Sequence, residues 1–586
     1  WEPRLGAPRV CADALPALGR ASHMPRKSGH RGDSVSWDEQ VLRFSRPRPE
    51  ILRATLPECV LAGFGQQVRS SMLDMPKEEL AALWQLSQPT DGFHEFVSHS
   101  WTADALPKTL ALLWYYNGLQ AYVAALLAGS ITFALRKAGV LPAWVPRTVD
   151  AGYDDLVDPE AGMSFWCSSV GASAFVLFFC FGQRLRPQCS KVLVFFDKLC
   201  VNQVDEGLKA EGVMSLGAFL KLSDKVLVLW TPTYFERLWC TFELACYLYM
   251  HPKPRVIFFP TCYGSLLTGI VSLLFALYAF WHMVLMINVT GAASWVLVVV
   301  ETFLAFVPMY FWVHICRRFV HARSCLQEQV QTFSLSNAKC REQADQRLIF
   351  KYIEKWYRDY EHTASCGCMR WMQNNDRPQT PEAQPPEADP GPEVPRSGIE
   401  NFNVFVRTTF CQRVCDSFLS TGLPYWAMVV YVGLPDILTS ADMICDGHSP
   451  RGWVLACLSA VLVTVPLCVR IIFCVCQCFK QRCATMAADV ALNTLTTCLA
   501  LAPIRAIYFF RRETYRMGLW FFLGYTAGLA LLLLAVSWRS VARAAQSWAG
   551  GSLSTGRGDA GNCARSTSNL EVVERRSSHE LKRTTI

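Results

Sequence analysis

Two carboxylates seven residues apart, Glu236 and Glu243, lie in PTYFERLWCTFELACYLY, where Phe235, Leu238, Trp239, Phe242, Cys246 and Tyr249 recur at three- and four-residue steps. A stripe of this kind packs a helix on a sheet. A carboxylate beside it sits near the sheet's edge, partly out of water, where its proton affinity rises and acid–base work becomes available. The competing reading makes Glu243 a solvated charge on the helix flank. Ser98, His99 and Ser100, with Asp104 shortly after, follow the short strand FHEFV. They either line a site at the carboxyl end of a strand or cap the helix that follows. Four further ionisable groups stand inside long apolar runs. Of these, His282 and Glu301 either relay protons or ions or hold two helices together, and Arg470 and Asp489 flank a turn across which they could pair. Cys366 and Cys368 lack a second ligand pair at zinc spacing, so no metal site is expected.

Positioning these groups needs a sheet. Val192–Phe196 and Val226–Trp230 are short apolar runs bounded by charge and turn residues, each followed by helical spacing, which is the βαβα rhythm of a parallel sheet. Arg255–Phe259 and Phe93–Val97 add two strands, and Lys108–Tyr116 supplies the first helix. Ligands of such a sheet bind outside the carboxyl ends of its strands.

The composition asks for a membrane: 52% hydrophobic, 18% charged and mean hydropathy +0.19 over 586 residues. Eight runs are long enough to cross a bilayer, or nearly so: Leu113–Leu135, Met163–Phe181, Leu266–Ile287, Ala292–Ile315, Leu423–Leu438, Trp453–Cys478, Met486–Phe510 and Met517–Trp538. Acidic loops, including Asp436, Asp442 and Asp446, alternate with basic ones such as Arg317, Arg318 and Arg323, which puts the sheet and the basic loops on the cytosolic side. Arg511–Arg516, read as a loop between the last two runs, breaks this rule. The net charge of +8 is modest, and no basic stripe interleaved with aromatics suggests nucleic acid. The partner expected is the bilayer.

The 25 cysteines are scattered through apolar runs and are expected to be mostly reduced. Cys474, Cys476, Cys478 and Cys483 are either palmitoylation targets or ordinary apolar residues. Asn288 opens a sequon too close to the apolar runs for use, and Arg575–Ser578 is a weak kinase pattern. The chain divides into a partly disordered lead-in with one helix near Pro76–Leu86 (1–90), a sheet domain (91–262) interrupted by an apolar hairpin at about 113–182, and a second hairpin (263–315). A polar helical segment (316–375), a Pro-rich acidic linker (376–399), a terminal apolar bundle (400–540) and a disordered basic tail (541–586) follow. The sequence opens on Trp1, so its true start is expected upstream.

Taken together, FHEFVSHSW (Phe93–Trp101), DKLCVNQVD (Asp197–Asp205) and LWCTFEL (Leu238–Leu244) resemble a TIR-type domain, the middle element being closer to the related HET domains. The resemblance covers Gly92–Pro260 less the insertion, and is similar to TIR-like multi-pass membrane proteins of protists. It implies a flavodoxin-like α/β parallel sheet of about four strands, joined here to an α-helical membrane region. It further implies one of two activities: signalling by homotypic association, or cleavage of NAD⁺ to nicotinamide and ADP-ribose. In the second, NAD⁺ is a substrate and no cofactor is needed. By the resemblance Glu243 is the catalytic residue, Ser98, His99, Asp197 and Trp239 bind substrate or support the site, and Lys198, Cys200, Asn202, Gln203 and Asp205 belong to the loop that gates the site and joins domains. No fifth strand is recognisable. The alternative function is a channel or transporter that the TIR-like domain regulates, carried by His282, Glu301, Arg470 and Asp489.

Overall fold

The computed structural model describes residues 42–69, 75–101, 104–145, 158, 161–185, 191–251, 253–287, 293–340, 342–358, 397–411, 423–479 and 485–549. The expectations for the first forty residues, the sequon at Asn288, Cys366, Cys368, Cys483, the linker at 376–396 and the tail beyond 549 lie outside them.

The protein is mostly helical around a small parallel sheet. β1 (Glu95–His99), β2 (Val194–Phe195), β3 (Val226–Trp230) and β4 (Val256–Pro260) pair in the order β2-β1-β3-β4. The four expected strands are present, with ends moved by a residue or two. Every side chain of β1 and β3 is buried, which is why VLVLW runs apolar throughout instead of alternating. Each of its aliphatic side chains contributes roughly 1.5–3 kcal/mol by leaving water. The lead-in holds more structure than one helix. Besides Lys77–Gln85, Arg53–Ala54 pairs with Gln88–Pro89, and Thr55 exchanges two 2.8 Å backbone hydrogen bonds with Val194, closing the outer edge of β2.

The first crossover helix and the first apolar run are one element. α1 (Ala105–Lys137) is continuous over 33 residues, about 50 Å. It starts at the carboxyl end of β1 and runs back along the strand, for Tyr115 and Tyr116 donate to Glu95, the first residue of β1, at 3.1 and 2.7 Å. Its remaining turns extend past the sheet's amino edge to pack on α2 (Trp166–Phe181). α3 (Asp197–Cys200), α4 (Glu206–Met214) and α5 (Leu216–Lys221) connect β2 to β3, and α6 (Leu238–Met250) connects β3 to β4.

α7 (Thr261–Ile287) follows β4 with no loop and descends beside α1. Gly264 lies against the backbone of Leu110 and Ala111, an approach that a Cβ would block, and Trp114 Nε1 donates to Thr268 Oγ1 at 2.8 Å. α8 (Ala293–Gln331) climbs back along α7, with Trp312 Nε1 bonded to the Leu266 carbonyl and Gln329 Nε2 to that of Pro232, beyond the carboxyl end of β3. α9 (Gln343–Tyr357) packs on α6.

Farther along the chain come α10 (Gly398–Phe405), α11 (Leu434–Cys445), α12 (Pro450–Ser459), α13 (Val465–Cys478), α14 (Met486–Met517) and α15 (Leu519–Ala549), with a short helical stretch from Tyr425 to Val432 before α11. Two boundaries differ from expectation. Arg511–Arg516 is not a loop, because α14 continues through it to Met517 and the chain reverses at Gly518, whose φ of +115° few other residues adopt. The tail is helical as far as Ala549. Among the described residues seven helical stretches are long and apolar enough to cross a membrane: Ala105–Lys137, Trp166–Arg184, Thr261–Phe280, Tyr425–Cys445, Pro450–Cys478, Met486–Tyr508 and Leu519–Ser537.

Candidate functional site

At the carboxyl edge of the sheet, β1 delivers Ser98, the loop after β3 delivers Tyr234, and the second turn of α6 delivers Glu243. Ser98 Oγ lies 2.6 Å from Glu243 Oε2 and 2.7 Å from Tyr234 Oη, and Tyr234 Oη donates to the Cys240 carbonyl at 3.2 Å. α6 is buried almost all round, not along one stripe, and Glu243 is half-buried on it. It lines a crevice. The residue keeps some exposure, while its carboxyl group is enclosed by protein. Burial pushes its pKa up to about 8, against the opposing pull of the Ser98 hydroxyl and with a further push from Asp197. Burial likewise pushes the Tyr234 phenol well above its usual range.

Beside this group the His99 ring lies parallel to Phe196, centroids 4.8 Å apart, and to Trp101 at 6.4 Å. Asp197 accepts from the Lys198 backbone at 2.7 Å and from Trp101 Nε1, and its Oδ1 stands 4.0 Å from His99 Nε2. Burial lowers the His99 pKa, and Asp197 only partly offsets it, so the ring is neutral near pH 7 and the contact is no ion pair. Ser98 and His99 end the strand and Ser100 follows it, its hydroxyl 3.1 Å from that of Thr233. Asp104 stands at the helix start without a capping bond, and the buried Lys108 donates to the Ser100 carbonyl at 3.1 Å.

Trp239 is separate from this group. Its indole turns to α9, donating to Asp345 at 3.1 Å. Glu236 lies on the loop before α6, its side chain half exposed. The segment after β2 is folded, not open. Lys198 is buried and donates to the Gln67 carbonyl at 2.9 Å, while Cys200 is buried against Phe196 and Val194. Asn202 accepts from Val204 and Asp205, Asp205 caps α4 through the Leu208 N–H at 2.9 Å, and Gln203 is half-buried between them.

The ionisable groups of the apolar helices go to different partners. Arg470 donates to the Leu423 carbonyl at 3.4 Å and does not meet Asp489. α8 packs on both α13 and α14, and its Arg317 takes Asp489 at 3.0 Å, Asn493 at 3.4 Å and the Phe479 carbonyl at 3.1 Å. His282 is buried with its ring 4.9 Å from Phe165. Glu301 is on α8, and its side chain lies outside the described residues.

Sequence reasoning missed several groups. Tyr234 is carried by the same strand-end rule that singled out Ser98 and was available from it. Asp442 and Asp446, expected in an acidic loop, belong to the end of α11. Asp442 accepts the Cys167 and Ser168 N–H groups at 2.7 and 2.8 Å, and Asp446 accepts that of Ser164 at 3.1 Å, so α11 caps α2. Asp436 is buried and bonded by Tyr278 of α7. Among the described residues the cysteines are free, with Cys474 and Cys478 exposed and Cys476 buried, and no cluster of three or more His, Cys, Asp or Glu side chains could hold a metal ion.

No family model, no curated protein and no solved structure matches the chain.

Proposed function

We propose that the chain is a multi-pass membrane protein whose sheet domain is of the TIR type, lies on the cytosolic side, and works in signalling and self-association, with Glu243 as the carboxylate that cleaves NAD⁺ at its glycosidic bond. The observation that carries this reading is the 2.6 Å hydrogen bond between Ser98 and Glu243. It joins the end of FHEFVSHSW to the LWCTFEL helix at the sheet edge where ligands of parallel sheets bind. The order β2-β1-β3-β4 supports it, being that of the first four strands of a flavodoxin-like sheet. The apolar helices support the membrane part.

In the reaction, the C–N bond between ribose and nicotinamide breaks with its electron pair leaving on the ring nitrogen. Water adds to the ribose carbon and loses a proton. Ionised Glu243 would stabilise the oxocarbenium-like transition state and hold the ribose hydroxyls. The pyridinium charge of NAD⁺ favours that ionised form, so binding is expected to expel the proton that burial retains.

The test is NAD⁺ consumption by the full chain in dense vesicles, beside Glu243→Ala. Turnover lost in the variant supports the enzyme. No turnover in either folded protein removes catalysis and leaves an association module, whose self-association is then read by crosslinking.

A further inference from the structure

The four groups Glu243, Ser98, Tyr234 and the Cys240 carbonyl form a line, and the donors and acceptors along it can be counted in each charge state. With Glu243 neutral, its O–H donates to Ser98 Oγ, the Ser98 hydroxyl to Tyr234 Oη, and the Tyr234 hydroxyl to the Cys240 carbonyl, over separations of 2.6, 2.7 and 3.2 Å. Every donor has one acceptor. With Glu243 ionised, the first two links reverse. Tyr234 donates to Ser98, Ser98 donates to the carboxylate, and the Cys240 carbonyl keeps its acceptor role in the α6 ladder. Both hydroxyl side chains are buried, Ser98 at 1% exposure and Tyr234 at 0%, so neither can turn to water to make up a missing partner.

We propose that Ser98 and Tyr234 are positioning residues forming a reversible two-hydroxyl relay, which lets Glu243 gain and lose its proton by hydroxyl rotation alone, with the Cys240 carbonyl as the terminal acceptor. The proton itself exchanges with solvent or ligand through the exposed part of Glu243. The relay keeps the carboxyl group in one place in both charge states, so a substrate that needs the carboxylate finds it in position. The other titratable groups around Glu243 are Asp197 after β2, with His99 and Lys108 beyond it, and Cys240 and Cys246 on α6. None of them is bonded to the Glu243 carboxylate, so its directional contact is with Ser98. The use of the relay in turnover rests on the NAD⁺ reading above, but the relay does not.

The two hydroxyls make opposite predictions. Ser98→Ala removes a charge-assisted bond from the ionised form and a weaker one from the neutral form, so Glu243 should hold its proton to higher pH. Tyr234→Phe leaves the ionised form its bond from Ser98, but in the neutral form it strands the buried Ser98 donor, so Glu243 should lose its proton at lower pH. Each shift is about one pH unit, the size of one hydrogen bond.

The readout is the infrared carboxyl C=O band of full-length protein between pH 5 and 10, with the spectrum of Glu243→Gln subtracted. Midpoints moving up in Ser98→Ala and down in Tyr234→Phe support the relay. Shifts of the same sign, as general loosening would give, or no shift in either variant, overturn it. Ser98→Thr keeps the hydroxyl, and its midpoint should match wild type within half a unit if the protein is folded. The band needs no substrate, so absence of NAD⁺ turnover with opposite shifts would remove the cleavage reading and keep the relay. If turnover is present, its pH profile should move with the band.

Discussion

Glu243→Gln should stabilise the sheet domain, and increasingly so as pH rises. Burial holds the carboxyl pKa at about 8 in the fold, against an ordinary value of 4.5. Because the folded value is the higher one, the fold favours the protonated form. Below pH 4.5 both states are protonated and burial of the group carries no ionisation cost. Between 4.5 and 8 the unfolded chain ionises and the folded one does not, so stability falls with rising pH, and above 8 the loss is complete. At about 1.4 kcal/mol per unit, the cost is roughly 3 kcal/mol at pH 7 and about 5 kcal/mol at pH 9. Glutamine has the size of the neutral acid, and its amide N–H can donate to Ser98 as the O–H does. The assay is thermal unfolding of full-length wild type and Glu243→Gln in the same detergent at pH 5, 7 and 9. The variant should gain little at pH 5 and on the order of 6–12 °C at pH 7 for a unit of this size. A gap that does not change with pH, or a variant less stable than wild type at pH 9, would refute the assignment of a retained proton to Glu243.

Other perturbations act on the helices that carry the sheet. Gly264→Leu should push α7 off α1 and cost about 1–3 kcal/mol, visible as a lower melting temperature; an unchanged one would mean that the two helices do not meet at Gly264. Asp442→Ala removes the acceptor for two N–H groups of α2 and should cost about 1–2 kcal/mol while exposing the buried Cys167 to maleimide, with Asp442→Asn milder on both measures. Asp489→Ala should be worse than Arg317→Met in thermal stability. Arg317 is 5% exposed and would be left charged and buried, about 3 kcal/mol, whereas Asp489 at 32% can return to water. Equal losses would count against the buried-charge account.

The strands were legible because each is a short apolar run stopped by charge or turn residues, and burial on both faces gives that pattern directly. The join of Lys108–Tyr116 to Leu113–Leu135 was not. A helix packed on a sheet and one packed in an apolar bundle share a period, and only the absence of a breaker between them says that they are one. Arg511–Arg516 misled in the opposite way. Charge suggested a loop, but Arg and Glu are good helix formers, and the break comes at Gly518. Side chains that serve a distant element left no local trace. Asp442 looks like the end of a span until α2 supplies its unpaired N–H groups, and Asp489 looks like a partner for Arg470 until Arg317 arrives from α8. The burial of Glu243 belongs to this class. The sequence shows one polar position on an apolar helix, and only the packing of β1 and the loop after β3 on that position takes its water away.

The arrangement of the connections also bears on how the site can respond. α1 starts at Ala105, six positions after the end of β1, and α7 leaves the carboxyl edge directly after Pro260. α8 returns to it, with Gln329 bonded to the Pro232 carbonyl in the loop that holds Tyr234. The segment after α8 then bonds the entry of α6 through an isolated bridge, Lys339 N to the Glu236 carbonyl at 2.7 Å and Leu238 N to the Lys339 carbonyl at 3.1 Å. Each hydroxyl of the relay is therefore tied to an apolar helix, Ser98 to α1 through the short connection after β1, and Tyr234 to α8 through its loop. Hydrogen bonds of 2.6 and 2.7 Å weaken steeply when their ends are pulled apart. A displacement of α8 relative to α1 would thus act on the contact between Ser98 and Tyr234, while β1 and β3 stay held by burial on both faces.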